Sequence, residues 1–401
     1  MNFESTLNNW CTEIQALRTS MRTNSIINSA MLLNEYENLQ KFLEKNCPKK
    51  SDEEKYIIKD DIYASFIRMK QRIERLEAAK KNIPRMFIIS LICQYDSLVG
   101  TLVRLVLLNQ PNLLNNSEKS ISFKELLEFK DINDAKEQIV LKEIEGVLRN
   151  SHKDQLKWFE SKLGITLQSD NELLKKFYEI TERRNLFAHN NGVVNKTYLN
   201  NCNALGCEVK AEVGDILDVS PEYFKNAVDC VLEIGIKITL IIWRHLNVVE
   251  NLKTESITNS IAYDLIDNGN YDLAIRIINF ALKCYKSFQA ASNKLMLIIN
   301  LAQCYLWKGN NNEVIKLLNE QDWSLCQPEF VVCKKVLERK FEEAVDILQN
   351  QHPDISQNEL LEWPIFKELR KNESFKKFFS LKYSISIEDY SRQLIINEKN
   401  N

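Results

Sequence analysis

The spacing of apolar residues predicts α-helices along the whole chain. Between Ile57 and Lys81 the apolar positions recur every three or four residues, which is the period of one helix face. The segment from Met86 to Leu108 is apolar on nearly all sides and predicts a core helix, and Pro84 is expected to separate the two. Because the 401 residues include only nine glycines and seven prolines, an all-α fold with long helices is expected.

Capping and helix-ending residues divide the middle of the chain. N-cap residues precede three predicted helices: Ser122, Ser169 or Asp170, and Ser220 followed by Pro221. Gly164 and the Asn191–Gly192 pair favour helix ends. The predicted helices span residues 123–129, 135–151, 152–163, 170–190 and 221–246. Residues 109–122 and 192–218 are predicted as loops, the second with a possible short hairpin.

From Ile257 onward the pattern changes to repeated helix pairs. Small turns at Gly269, Gly309 and Arg339 are each followed by the same apolar spacing. These units resemble tetratricopeptide repeats, although the turns lie about 40 and 30 residues apart rather than at a strict 34-residue period. The resemblance implies a helical array stacked through small residues: Ala262, Ala274, Ala281 and Ala302. Such arrays usually bind a protein or peptide, and plain scaffolding of a dimer is the alternative.

We therefore expect an N-terminal helical region (1–85), a helical bundle (86–250), helical repeats (257–385) and a polar tail (386–401). A helix from Trp363 to Phe379 is expected to close the repeats. The net charge of −2 gives no global field for nucleic acid, so any RNA contact must come from a local patch. Ten cysteines without a Cys-x-x-Cys pair or a secretory signal favour reduced thiols in a cytoplasmic protein.

No membrane span is expected, because the most apolar stretch, Val231 to Trp243, is too short and contains charged residues. Cys202 and Cys207 have a spacing that suits zinc but lack further ligands nearby, so free thiols are the favoured interpretation. Neither a metal nor a cofactor is expected.

The nine residues from Arg184 to Gly192 carry the strongest functional signal. The apolar stripe of their helix (Leu174, Phe177, Tyr178, Thr181) continues through Arg184, Asn185 and Ala188. Burying a guanidinium and an amide is costly without partners, so these groups either meet an acid inside the bundle or line a cleft. For His189, one of four histidines, the simpler alternative is a helix-end residue favoured by the helix dipole.

Arg-Asn-x3-His with a glycine exit resembles the signature of the HEPN ribonucleases (higher eukaryotes and prokaryotes nucleotide-binding domain). The run Glu182–Asn195, followed by Tyr198, is similar to a bacterial branch often found in antiviral defence, and the resemblance covers about residues 86–246. It implies an all-helical bundle that dimerises with the two motif helices facing each other. It also implies an acid on an earlier core helix, for which Asp96 is the candidate. Asn191 stands where some family toxins have a nucleotide-accepting tyrosine, so that control is not implied here.

The chemistry implied is metal-independent endoribonuclease cleavage, in which a ribose 2′-OH attacks the adjacent phosphate. His189 would be the general acid or base and Arg184 would bind the phosphate. Asn185 would position a phosphate oxygen or the histidine, and Asp96 would orient Arg184. Arg184 and His189 point about 140° apart on a helix, so two copies across a two-fold axis complete the site more easily than one.

Four basic residues near the motif are expected to contact RNA phosphates, unless they merely form a solvated helix face: Lys175, Lys176, Arg183 and Lys196. The favoured hypothesis is a homodimeric toxin or antiviral-defence ribonuclease, with a protein partner or trigger at the repeats. The alternatives are a non-enzymatic interaction scaffold and an inactive HEPN partner that binds RNA or nucleotide.

Overall fold

The computed structural model describes residues 2–47, 56–115, 120–387 and 389–390. These residues form helices and no β-strand; one isolated antiparallel bridge joins Val193 and Ile216. The all-α prediction is confirmed. The chain forms two compact units, Met1–Leu246 and Asn247–Asn401. Most of the predicted polar tail, residues 388 and 391–401, lies outside the described residues, as do residues 116–119 of the loop predicted at 109–122.

The N-terminal unit contains nine α-helices among its described residues. They are α1 (Phe3–Asn46), α2 (Asp60–Asn109), α3 (Asn112–Asn115), α4 (Phe123–Leu126), α5 (Ile132–Leu148), α6 (His152–Leu163), α7 (Asn171–Asn190), α8 (Lys196–Ala204) and α9 (Pro221–Leu246). The second half of α2 is the centre of this unit, since its side chains from Ile88 to Leu107 are largely buried and α5, α7 and α9 pack against it. The domain boundaries expected from the sequence stay a prediction.

The helices α1 and α2, of 44 and 50 residues, form a long antiparallel hairpin. Trp10 Nε1 donates to the carbonyl of Gln94 at 3.0 Å, and Asn28 Nδ2 donates to that of Leu76 at 3.2 Å. We call its outer half, residues 22–46 and 60–80, the arm. In the arm the buried residues are Asn28, Leu32 and Ile73, so these two helix segments pack chiefly on each other.

The expected separation at Pro84 is wrong, because α2 continues through this residue. A proline inside a helix removes one backbone hydrogen bond and costs about 3 kcal/mol. Burial of side chains that follow, such as Ile88, Leu91 and Ile92, offsets this cost. By length and composition, an 18-residue window of α2 is apolar enough to cross a membrane, and half of this window is buried inside the unit.

Four other segments differ from the sequence prediction, and the first is the loop expected at 109–122, which contains α3. The segment expected to be a loop at 192–218 contains α8, which the Asn195 side chain caps by accepting from Tyr198 N at 2.9 Å. Asp131 caps α5, so this helix begins before the expected residue 135 and ends at Leu148. The helix expected at 123–129 ends at Leu126. The caps at Asp170 and Ser220 and the end at Gly164 are confirmed.

The C-terminal unit consists of helix pairs. Its α-helices are α10 (Asn251–Asp267), α11 (Tyr271–Cys284), α12 (Ala291–Trp307), α13 (Asn311–Asn319), α14 (Pro328–Leu337), α15 (Phe341–Asn350), α16 (Gln357–Glu362) and α17 (Glu373–Tyr383). The expected single helix from Trp363 to Phe379 is wrong: two 3-10 turns, Pro364–Lys367 and Leu369–Lys371, precede α17, which Asn372 caps.

Three turns of this unit have the same geometry, as the sequence predicted. Gly269, Gly309 and Arg339 all adopt positive φ angles, of 71°, 81° and 59°. In each, the next backbone N–H donates to the carbonyl five residues earlier, a helix-ending Schellman pattern. The small residues expected at the helix contacts are fully buried: Ala262, Ala274, Ala281 and Ala302.

The base of α1 docks on α9 where Trp10 covers Gly235. A Cβ at Gly235 would overlap the buried Trp10 ring. We expect Gly235→Ala to lower the free energy of unfolding by about 1–3 kcal/mol, because the overpacked ring cannot move aside. Urea unfolding followed by circular dichroism measures the change. The matched control is Gly100→Ala, whose Cβ would lie 3.4 Å from Ile144; if both variants lose equal stability, the close packing of Trp10 is not the cause.

Candidate active site

The predicted helix end after the Arg184–His189 segment is confirmed. Asn191 adopts φ 51°, and the following Gly192, at φ 79°, donates its N–H to Leu186 O at 3.2 Å. A Cβ at Gly192 would lie 2.8 Å from the Leu217 carbonyl oxygen. Glycine is therefore required here both by the left-handed backbone and by the close approach of a second chain segment.

Arg85 of α2 holds this turn in place. It is 7% exposed, and it donates to the carbonyls of Asn191 at 2.9 Å and Leu217 at 2.7 Å. Its guanidinium also pairs with Asp218 at 2.6 Å and lies 5.3 Å from the centre of the Phe187 ring. The end of α7 is thereby attached to the core helix.

Asp96 of α2 joins two further helices. Its Oδ2 accepts from Arg184 Nη2 of α7 at 3.3 Å, and its Oδ1 lies 3.1 Å from His152 Nε2 at the start of α6. The expected Asp96–Arg184 contact is present. His152, for which the sequence predicts no role, is the additional partner. Each carboxylate oxygen thus has its own partner, which fixes the plane of the carboxylate.

Aromatic rings enclose the His152 side of this contact. The His152 side chain is 12% exposed, and its ring centre lies 5.8 Å from Tyr95 and 5.6 Å from Phe177. Burial raises the pKa of the Tyr95 hydroxyl. The Arg184 side chain is 21% exposed, and its Nε has no hydrogen-bond partner in the part of the chain that the structure describes. That Nε is buried, and the contact with Asp96 uses Nη2, so the guanidinium has further N–H groups besides these two.

A cleft of about 320 Å³ opens beside these groups. Asp96, Arg184 and Asn185 line it, as do His152 and Gln155. His189 does not line the cleft and is exposed, as is Ala188, which the predicted stripe had placed toward the core. The structure thus brings together three of the four predicted catalytic residues and places His189 on another side of α7, as the 140° between the two positions implies.

Arg183, predicted to bind substrate, is held by a carboxylate inside the unit. Glu179 accepts from Arg183 Nε at 2.7 Å, from the Tyr198 hydroxyl at 2.9 Å and from the Tyr223 hydroxyl at 2.8 Å. The Arg183 guanidinium stacks 4.0 Å from the centre of the Tyr223 ring. Burial raises the pKa values of both tyrosines, so they stay protonated donors. This cluster joins α7, α8 and α9 beneath the motif.

The three predicted substrate-binding lysines lie outside the cleft lining. Lys175 pairs with Glu172 at 2.8 Å, which raises the pKa of its ammonium, while Lys176 and Lys196 are exposed. Two other basic residues line the cleft instead: Arg149 and Lys153. They lie on either side of the turn between α5 and α6. In the sequence, the one feature that could have pointed to them is that they stand within three residues of His152.

The described residues hold no group of three histidine, cysteine or acidic side chains placed to bind a metal ion. Cys202 and Cys207 are free and buried. Their thiols hydrogen-bond to each other, which holds the pKa of the Cys207 thiol below its usual value. The Cys207 Sγ also contacts the Lys175 carbonyl at 3.3 Å, so this pair closes the loop after α8 onto α7.

The chain matches no protein-family model, no curated protein and no solved structure.

Two tyrosine-to-glutamate hydrogen bonds should contribute differently to stability: Tyr223 to Glu179, which is enclosed within the unit, and Tyr36 to Glu77, which is exposed. Tyr223→Phe removes a donor from a carboxylate within the unit, and we expect unfolding free energy to fall by about 1.5–3 kcal/mol. Tyr36→Phe removes a hydroxyl that contacts Glu77 on the exposed arm, and we expect little change. Thermal and urea unfolding of both variants test this. If both variants lose the same unfolding free energy, the enclosed hydrogen bond from Tyr223 to Glu179 contributes no more to stability than the exposed one.

Proposed function

We propose that this protein is a metal-independent endoribonuclease of the HEPN type, with its active site formed across a homodimer. The observation that carries the proposal is the cleft in which Arg184 is held by Asp96 and lies beside Asn185. The Arg184 guanidinium contacts Asp96 through Nη2 and lines the cleft, and a planar cation with further N–H groups suits a phosphate. The Arg-Asn-x3-His resemblance supplies the reaction type.

In this proposal Arg184 binds the scissile phosphate and stabilises the charge that develops during attack by the 2′-OH. Asn185, on the same side of α7, positions a phosphate oxygen. Asp96 orients Arg184, and His152 holds Asp96. Proton transfer belongs to His189, whose imidazole is exposed and free to reach a substrate. The 2′-hydroxyl gives its proton to His189 as its oxygen bonds to phosphorus, the bond from phosphorus to the 5′-oxygen breaks, and the protonated His189 returns a proton to that oxygen. The products are a 2′,3′-cyclic phosphate and a 5′-hydroxyl.

The position of His189 favours a site shared by two copies. It lies away from the cleft that contains Arg184, so within one chain the two side chains do not converge on one phosphate. A two-fold axis beside α7 would bring His189 of each copy to the cleft of the other. The repeats of the C-terminal unit would bind a protein that controls cleavage. The toxin or antiviral-defence setting follows from the resemblance alone.

A non-enzymatic scaffold remains the alternative, in which Asp96 with its two partners is a structural network. A specific observation favours it in part: both oxygens of the Asp96 carboxylate are already paired inside the unit. An inactive partner that binds RNA or nucleotide is the third hypothesis. Cleavage assays separate the first proposal from both.

The decisive prediction concerns mixed dimers. In EDTA we expect the wild type to cut labelled RNA to cyclic-phosphate ends, and Arg184→Ala and His189→Ala to lose at least about 100-fold in rate. If Arg184 and His189 act from different copies, mixing the two variants rebuilds one complete site in each mixed dimer. Because half of the randomly exchanged dimers are mixed and each has one good site of two, the mixture should regain about a quarter of wild-type activity.

The control for the mixed-dimer assay is His245→Ala, which removes another exposed histidine of the same unit and should leave the rate unchanged. Wild-type rates in both single variants would contradict the proposal. Recovery of no activity in the mixture, with both single variants inactive, would place Arg184 and His189 in one chain's site.

A second prediction tests the support of Arg184 by His152. His152→Leu leaves Asp96 Oδ1 without its donor, so the carboxylate can rotate and Arg184 loses its fixed position. We expect kcat to fall roughly 10- to 100-fold, as for other losses of outer supporting contacts. His152→Gln keeps an N–H donor of similar reach and should retain most activity. Equal activity in the two variants, with the fold intact by circular dichroism, would show that the His152 donor has no part in positioning Arg184.

A further inference from the structure

The arm carries an exposed apolar face on α1. Ile26, Ala30 and Leu33 follow one another at spacings of four and three residues, so they lie on one side of α1. Ile26 is 60% exposed and Leu33 is 62% exposed. Ile27 and Met31 are also exposed, but they lie on other sides of α1 and do not belong to this face. The residues that face α2, Asn28 and Leu32, lie on the opposite side.

A charge of opposite sign stands at each end of this face. Arg22 precedes Ile26 by four residues, and Glu37 follows Leu33 by four, so both lie on the same side of α1 as the apolar residues. Both side chains are exposed. Within the described part of the chain neither makes an ion pair. We call Arg22, Ile26, Ala30, Leu33 and Glu37 the α1 stripe.

The α1 stripe is complementary to itself. If two α1 helices lie antiparallel about a two-fold axis between residues 29 and 30, Ile26 of each copy meets Leu33 of the other. By the same symmetry Arg22 of each copy meets Glu37 of the other, so both charges find partners. Ala30 lies next to the axis, and its small side chain allows the helices to approach closely. In a parallel pairing each charge would instead meet its own like, which disfavours that arrangement.

We propose that the α1 stripe is a contact between two copies of this chain, paired antiparallel through their arms. An unrelated partner would need only an apolar groove, whereas the paired placement of Arg22 and Glu37 at equal distances from the centre fits a second copy. The apolar residues supply the attraction, and the two ion pairs fix register and direction.

This contact is separate from the one that the proposed ribonuclease needs. At the level of the centre of the α1 stripe, but on the other side of α1, Asn28 contacts Leu76 of α2. Asp96 lies 20 residues further along α2, or about 30 Å. Antiparallel pairing of the arms therefore keeps the two Asp96 clefts apart. Two different two-fold contacts on one chain build a closed tetramer or a filament. The proposal does not rest on the cleavage chemistry.

The test uses charge reversal in the full chain. Arg22→Glu and Glu37→Arg each place two like charges opposite one another, and each should weaken self-association at least about 10-fold. In an equimolar mixture of the two variants, a mixed pair sets the two acidic positions of one chain against the two basic positions of the other. Association should therefore return through mixed pairs alone. The double variant, with both changes in one chain, should associate like the wild type. Sedimentation velocity and native mass spectrometry measure both results.

The control is Glu13→Arg, which makes the same charge change on an exposed residue of α1 away from the α1 stripe and should not alter association. Leu33→Glu is a second test variant, which should separate the arms without altering the folded unit. Circular dichroism confirms that all variants fold. The proposal is overturned if the wild type shows no association at micromolar concentration. It is also overturned if the single variants associate like the wild type, or if neither mixture nor double variant recovers. Cleavage of RNA is scored separately, so failure of either proposal is recognised.

Discussion

The Asp96 carboxylate determines the arrangement of the cleft. It projects from the most apolar part of α2, where an unpaired charge would be costly, and it is balanced by Arg184 from α7 and His152 from α6. A partly buried ion pair of this kind is weak evidence for net stability, because desolvation offsets much of the attraction. Its effect is geometric: one carboxylate with two different partners sets the relative positions of three helices, and it leaves the Arg184 guanidinium at the cleft wall.

Two further side chains fix the surroundings of the Arg184–His189 segment. Arg85 donates to the backbone carbonyls of Asn191 and Leu217, and Glu179 accepts hydrogen bonds from side chains of α7, α8 and α9. These contacts use arginine where a fixed fork of donors is needed and tyrosine where a buried hydroxyl is needed. The exposed His189 is the one predicted catalytic group outside this framework. A rigid Arg184 and an accessible His189 suit a site in which the second copy supplies the missing group.

Local signals in the sequence were sufficient for much of the fold. The cap at Asp170, the end at Gly164 and the repeated turns at Gly269 and Gly309 depend on a few adjacent residues, and the sequence located them. The errors arise where distant contacts decide. Burial of the side chains after Pro84 outweighs the cost of the proline, so α2 continues where the sequence predicted a separation. The role of His152 could not be inferred, because its partner Asp96 is 56 residues away along the chain.

The arm and the cleft are parts of one element, since α2 passes from the arm through Arg85 to Asp96 without a break. The distance along this helix has two consequences. It keeps a contact on the α1 stripe clear of the cleft, so association through the arm need not compete with a partner at the motif. It also means that the arm can be changed at exposed positions while the buried half of α2 holds Arg85 and Asp96 unchanged. Assembly and chemistry are therefore expected to be separable in this chain, although α1 and α2 both run from the arm into the body of the N-terminal unit.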